Sequence, residues 1–380
     1  MATLSLAVTP KCVTAAGLEV PRHTRTPPHL WYRRGMGKVT SRTKAASIAD
    51  VARLAGVSPQ TVSRVSRGSE KVRAETKAKV LEAMKQLGYS PNHAARALRS
   101  GSLKLIGVLT QQVERTGESH TTSGVLEAAA KLGYAVIVSQ VKHPEADEVH
   151  DALMQLSQQP IDALVIVQSG KATYEHLGLP AGLPVASSDS ALVGYYPSAS
   201  ADQIQGVREA VAHLLELGHR TVHHIAGPAD SQSAAIRLAA WRRKLEESGI
   251  RPPDPIPGGW DPIDGYRAGL ELANNPEVTA VFCANDEVAL GFIRAMHEQG
   301  RKVPDDVSVI GFDGIPLGEY SFPPLTTVRQ DFRRTGSTMI DLIAEQLGGG
   351  PRDGSRHIVI PTELVIREST APPQVANATN

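Results

Sequence analysis

Between residues 47 and 87 apolar positions recur three and four apart, the spacing of amphipathic helices, in three short pieces. Ser47 can cap the first, which turns Ile48, Val51, Ala52 and Leu54 to one face and stops at Gly56. Ser58 can cap the second, with Val62 and Val65 inward. The third spans about 74–87, with Val80, Leu81, Met84 and Leu87 at helical spacing, and Gly88 closes it. A shorter piece follows over 92–99, entered at Pro91 and left at Gly101.

After Leu103 the texture changes. Apolar runs of strand length appear at 105–109, 135–139, 163–167, 184–188, 221–227, 280–284 and 307–312. Amphipathic helices fit the intervals, at 122–132, 202–217, 233–248, 263–274, 286–299 and 332–347. Strand–helix alternation predicts parallel sheets covered on both faces. The number of units predicts two such sheets with a binding cleft between them. The fold class expected is thus a small all-α domain followed by an α/β two-lobed core.

Charge sharpens this picture. The net charge of the 380 residues is only +1, but residues 1–104 hold 19 Lys and Arg against 5 Asp and Glu, a balance of +14, and the remainder sits at −13. A basic block on an acidic body suggests that one end meets a polyanion. Residues 1–44 are rich in Pro, Thr and Arg without apolar periodicity and are expected to be disordered, with Met36 read as the true translation start. Two cysteines, Cys12 and Cys283, cannot build a disulfide framework or a four-cysteine zinc site. No apolar run reaches membrane-spanning length, and a cytoplasmic protein with no membrane partner is expected.

The segment SIADVARLAGVSPQTVSR reads as a helix–turn–helix. Small Ala52 lets two helices cross, Gly56 makes the turn, and Val57 and Val62 pack the second helix on the first. Ser58, Pro59, Gln60, Thr61, Ser63 and Arg64 are left near the exposed N-terminal part of the second helix, the part that reaches base edges in the major groove. Gln pairs bidentately with adenine and Arg with guanine, each giving about 1–3 kcal/mol of discrimination. The chain here closely resembles the lac-repressor family of bacterial transcription regulators. The likeness rests on IADVARLAGVSPQTVSRV, LGYSPNHAARALRSG and LIGVL. It continues through LLELGH, IAGP, SAAIRLAAW, ANDEVALG, VSVIGFDG and PPLTTVRQDF, in order, to about Glu368.

That resemblance implies domains at 45–90 (helix–turn–helix), 91–102 (hinge) and 103–368 (a core like periplasmic binding proteins), with a disordered tail at 369–380. In the hinge, which starts at the DNA-binding candidate Asn92, Leu98 would wedge into the minor groove with Ala95 beside it and Arg96 and Arg99 near the backbone; the piece is too short for a stable helix alone. Arg67 stands where the family commonly has Asn, adding positive charge near the DNA backbone. In the cleft the resemblance implies Asp189, Arg237, Trp260, Asn285, Asp313, Gln330 and Phe332. These types suit a polyol: carboxylates and amides meet vicinal hydroxyls, Arg offers a rigid donor fork and an aromatic face stacks on C–H surface. Gln111 and Ser119 are weaker candidates.

The effector expected is a sugar acting as inducer, a galactoside or other plant-type glycoside. The alternative is a nucleobase or phosphorylated metabolite acting as corepressor. His223 and His224 neighbour each other on a strand, so they face opposite ways and cannot chelate together. No G-x-S-x-G, H-E-x-x-H or P-loop occurs, and no cofactor or metal is expected. A glycosidase pair of Asp189 and Asp313 lacks support for the close geometry needed. The partners expected are a pseudo-palindromic operator duplex and a second copy of the chain. The tail lacks leucine heptads, which predicts a homodimer rather than a tetramer.

Overall fold

The structure, a computed structural model, describes residues 46–66, 69, 71–89, 102–141, 146–157, 159–168, 174–180, 182–188 and 190–374. Arg67, Asn92, Ala95, Arg96, Leu98, Arg99 and Asp189 lie outside them. The chain forms two compact units, divided at residue 91.

In the first unit α1 (Ile48–Ala55), α2 (Pro59–Ser66) and α3 (Ala74–Gln86) enclose Val51, Ala52, Val62, Val65, Val80, Ala83 and Met84. The Ser47 side chain accepts from Asp50 N–H while the Asp50 carboxylate accepts from Ser47 N–H at 2.9 Å, a reciprocal box satisfying two donors. Gly56 ends α1 at φ 65°, where a Cβ would be strained. Three assignments are corrected. Leu54, Leu81 and Leu87 are 50%, 49% and 37% exposed, because α1 buries only Val51 and Ala52 and α3 meets the others along its Val80–Ala83–Met84 stripe, the remaining faces turning to water.

The second unit holds two sheets. The first lobe joins β1 (Leu105–Thr110), β2 (Ala135–Gln140), β3 (Ala163–Ile166), β4 (Val185–Ser187) and β5 (Ser198–Ala201) with β10 (His357–Ile360), in the order β10-β5-β4-β3-β1-β2, all parallel. Leu105 lies opposite Ala135 and Ile106 opposite Ala163. Its helices are α4 (Thr116–Lys131), α5 (Ala146–Ser157), the single turn α6 (Tyr174–Leu177) and α11 (Phe332–Leu347). The second lobe orders β11 (Glu363–Val365), β9 (Thr326–Arg329), β8 (Ser308–Asp313), β7 (Ala280–Cys283) and β6 (His223–Ile225); only β11 is antiparallel. Around it pack α7 (Gln203–Glu216), α8 (Gln232–Glu247), α9 (Pro262–Leu272) and α10 (Asp286–Glu298).

The chain passes between the lobes three times: at Asp202, at Gln330 and Asp331, and at residues 361 and 362. The first and third passages are bonded together, Asp202 N–H donating to Ile360 O at 2.8 Å and Thr362 Oγ1 to Asp202 O at 3.2 Å. Glycines let helices cross closely. A Cβ on Gly336 of α11 would stand 2.2 Å from Thr121 O of α4, and one on Gly291 of α10 would stand 1.8 Å from Pro262 O of α9.

The parallel two-sheet expectation holds, and the seven apolar runs each contain a strand. Strands β5, β9, β10 and β11 and helices α5 and α6 were not expected, and α4 begins six residues before its expected start. The disordered tail is also corrected: residues 369–374 are placed, and Ser369 is fully buried. Val309 N–H donates to Ser369 O at 2.8 Å, Ser369 Oγ donates to Val309 O at 2.6 Å, and Thr326 N–H donates to that hydroxyl at 2.8 Å. Backbone and hydroxyl pairing holds this segment, so its scarcity of apolar residues was no guide. Among the described residues no helix is long and apolar enough to cross a membrane.

Candidate functional site

Two surfaces carry candidate chemistry. On the first unit, the α2 start exposes Ser58, Pro59, Gln60 and Arg64, with Thr61 and Ser63 half-buried. Ser58 Oγ accepts from Thr61 N–H at 3.1 Å and lies 2.9 Å from Thr61 Oγ1, so the N-cap also fixes these hydroxyls. Pro59 sits at the first helical position, where its missing N–H costs nothing. Gln60 and Arg64, four apart, share one face one turn apart. No carboxylate occurs in α2.

The second surface is a cleft of about 670 Å³, in the usual range for small-molecule sites. Strand ends build it, as open parallel sheets dictate: Gln111 follows β1, Asn285 follows β7 and Asp313 closes β8. Arg237, Trp260, Gln330 and Phe332 complete the set, so six of the seven cleft residues expected come together. Ser119 is not among the lining residues.

Arg237 organises the floor. Its Nη2 donates to Asp313 Oδ1 at 3.1 Å, its Nε to Gln203 Oε1 at 2.7 Å and its Nη1 to the Ala284 carbonyl. Gln203 Nε2 donates to Gln330 Oε1 at 3.2 Å, and Gln330 Nε2 returns to Asp313 Oδ1 at 2.7 Å. Four side chains thus close a ring, and two of them, Gln203 and Gln330, stand at passages between the lobes. The guanidinium also lies 3.8 Å from the Phe312 ring centre and 5.4 Å from that of Trp260. Gly227 admits the indole, since a Cβ there would meet Trp260 at 2.9 Å.

Electrostatics follow from burial. Asp313 is pushed up to about 6, by burial first, with Glu287 adding to it and Arg237 and Gln330 opposing. Its φ of 105° is unusual for a residue with a Cβ, and the ring over-determines that conformation. Asp286 lies beneath, well above the usual carboxylate range because it is buried, accepting from Thr327 Oγ1 at 2.5 Å and Ile315 N–H at 2.7 Å. Burial raises Glu118 too, against the Thr110 hydroxyl and the Gln111 and Gln112 N–H groups, both at 2.8 Å, on its Oε2. Asn285 splits its amide: Oδ1 caps α10 at Val288 N–H, 2.8 Å, and Nδ2 donates to Trp260 O at 3.0 Å.

Sequence reasoning missed Gln203, Thr116, Glu118 and Glu287, all of which line the cleft. A polar first-turn residue after a strand was the available signal for Gln203. His224 is core: its Nδ1 donates to Phe282 O at 2.9 Å, its ring stacks on Phe282, and burial lowers it to about 4. Cys283 is buried and its thiol is pushed up. No three His, Cys, Asp or Glu side chains among the described residues are grouped so that they could hold a metal ion.

A helix–turn–helix unit joined to a two-lobed α/β core with a polar cleft defines the ligand-controlled type of regulator. Residues 47–92 match the profile of bacterial regulatory proteins of the lacI family, and 211–370 match the periplasmic binding protein-like domain. The chain is 34% identical over 341 residues to the lactose operon repressor of Escherichia coli (strain K12), covering 88% of this chain and 93% of that one. It is 33% identical over 336 residues to the repressor PurR of Haemophilus influenzae (strain ATCC 51907 / DSM 11121 / KW20 / Rd), covering 85% and 98%. A lac repressor dimer bound to operator and the anti-inducer ONPF superposes with TM-score 0.75 at 32% identity, over 86% of this chain and 100% of that one. The transcriptional regulator CelR in complex with cellobiose gives 0.64 at 28%, over 85% and 99%. The chain belongs to the lacI family: it is a DNA-binding transcriptional repressor, not an enzyme.

Proposed function

We propose that this repressor grips a pseudo-palindromic operator as a homodimer and that a sugar in the cleft loosens the grip. The observation that carries the reading is the ring of Arg237, Gln203, Gln330 and Asp313 beside the Trp260 face. It offers donors, acceptors and an aromatic surface to a hydroxylated ring, and it includes residues at two passages between the lobes. A ligand that rearranges this ring stabilises one lobe arrangement over another, and its differential affinity for the two sets the change in DNA affinity. Gln60 and Arg64 read base edges; Ser58, Pro59, Thr61 and Ser63 set the helix end against the backbone. Arg67 and the hinge residues Asn92, Ala95, Arg96, Leu98 and Arg99 are assigned to extending that contact, and Asp189 to recognising the effector alongside Asn285 and Phe332. The lac repressor dimer on operator and CelR with cellobiose support the assembly and the ligand class.

A nucleobase acting as corepressor is the second reading, favoured by the likeness to PurR and by the indole face of Trp260. Palindromic duplexes selected from a randomised pool, followed by fluorescence anisotropy with sugars and purines, separate the two. A sugar should release the duplex. Tightening by a purine, with every sugar silent, replaces this reading by the second, and no retained duplex at low ionic strength overturns both.

A further inference from the structure

Glu287 stands in the first turn of α10 and lines the cleft from the second lobe. Its Oε1 accepts from the hydroxyl of Thr116, which belongs to the first lobe, at 2.5 Å. Its Oε2 is buried and has no hydrogen-bond partner. A buried carboxylate oxygen without a donor is costly, and native proteins leave few such atoms. The α10 dipole favours a negative charge at this end but brings no hydrogen to Oε2, and Asn285 already caps Val288 N–H.

The rest of the cleft does not compensate. Glu114, Glu118, Asp230, Asp261, Glu287 and Asp313 face only Arg115 and Arg237 among the described lining residues. Arg237 spends its fork on Asp313, Gln203 and Ala284. Glu118 is supplied by one hydroxyl and two N–H groups, and Asp313 by Arg237 and Gln330, so Glu287 keeps the acceptor with nothing to accept. A phosphate placed here would meet like charge, whereas a hydroxyl or ammonium that displaces the cover over Oε2 as the ligand seats would complete it.

We infer that Glu287 is a ligand-recognising carboxylate, that the effector presents a hydrogen-bond donor to Oε2, and that the cleft prefers an amine-bearing sugar over its neutral counterpart and rejects phosphorylated ones. This rests on the sugar reading above. Calorimetry on the full chain with two matched sets tests it: glucose, glucosamine and glucose 6-phosphate, and the corresponding galactose set. In at least one set the amine should bind about tenfold tighter than the neutral sugar and the phosphate weakest, as expected for a charge-assisted bond. Glu287→Gln should erase the amine's advantage. Thr116→Val, which removes the hydroxyl that bonds Oε1 but leaves the Glu287 carboxylate in place, should keep the order of affinities.

Phosphate binding as tightly as the amine, Glu287→Gln weakening all three members equally, or Thr116→Val abolishing the preference overturns the assignment while leaving the sugar reading standing. If no member binds while another glycoside still releases the duplex, this inference falls and the sugar reading stands; if no sugar of any kind releases the duplex, both fall.

Discussion

Removing the Arg237 guanidinium would leave Asp313 buried without its cation and Gln203 without its donor. Breaking one side of a buried pair typically costs about 3–5 kcal/mol, and the two side chains here are 5% and 12% exposed. Arg237→Ala should therefore lower the melting temperature. Below that temperature it should still bind operator yet lose its response to effector, as anisotropy with and without ligand would show. Asp313 makes a second prediction with a definite sign. Its folded value, about 6, lies above the ordinary 3.8, so its contribution to stability is complete below about 4 and is lost as pH rises through 6. His224 runs the other way, its lowered value giving stability that is present above 6.5 and lost as pH falls through about 4. Comparing Asp313→Asn with wild type by urea denaturation isolates the first effect: the stability difference should move in the variant's favour between pH 4 and 6 and stay flat above 7. At this scale the motif-borne residues, Arg237, Trp260, Asn285, Asp313, Gln330 and Phe332, were legible. Gln203, Thr116 and Glu287 were not, because their partners come from segments 34 to 171 residues away and nothing local marks them.

Helix–helix contacts carry their own test. Gly336 abuts the α4 backbone so closely that any Cβ must displace it. Gly336→Ala should cost about 1–3 kcal/mol in urea denaturation, as overpacking usually does, whereas the same change at Gly133, with open space but φ 74°, strains only a loop. Loss of the Ser47 box in Ser47→Ala should cost about 1 kcal/mol of first-unit stability, measured by hydrogen exchange of α1 amides. Elements with long apolar runs were readable because both faces are buried, as in β3 with all four residues covered. Strand β5, SASA, was hidden since it is small and weakly apolar, and β10 and β11 are short edge strands with exposed positions. Leu81 and Leu87 show the converse: correct spacing on a helix whose stripe is narrower than its apolar content.

For the molecule as a whole, the charge asymmetry of +14 against −13 was visible from the first count and foretold a division of labour. It also predicts strong salt dependence. Operator affinity should fall on a logarithmic plot against salt with a slope of about −0.9 for each phosphate neutralised, and Arg64→Ala should make that line shallower or relax specificity at one base. Sequence could not reveal how the lobes are wired, because α11 and β10 return to the first lobe only after the second has been built. Nor could it show the final segment packed behind β8, where His219 Nε2 donates to the Ala371 carbonyl at 3.0 Å.

The triple passage between the lobes has a mechanical consequence. A single tether would let two bodies swivel in any direction, but three, the first bonded to the third at Asp202 and to the second through Gln203 and Gln330, should confine them to rocking about one axis. Nitroxide labels placed on opposite rims should then report one coordinate, along which an effector slides the distribution without widening it.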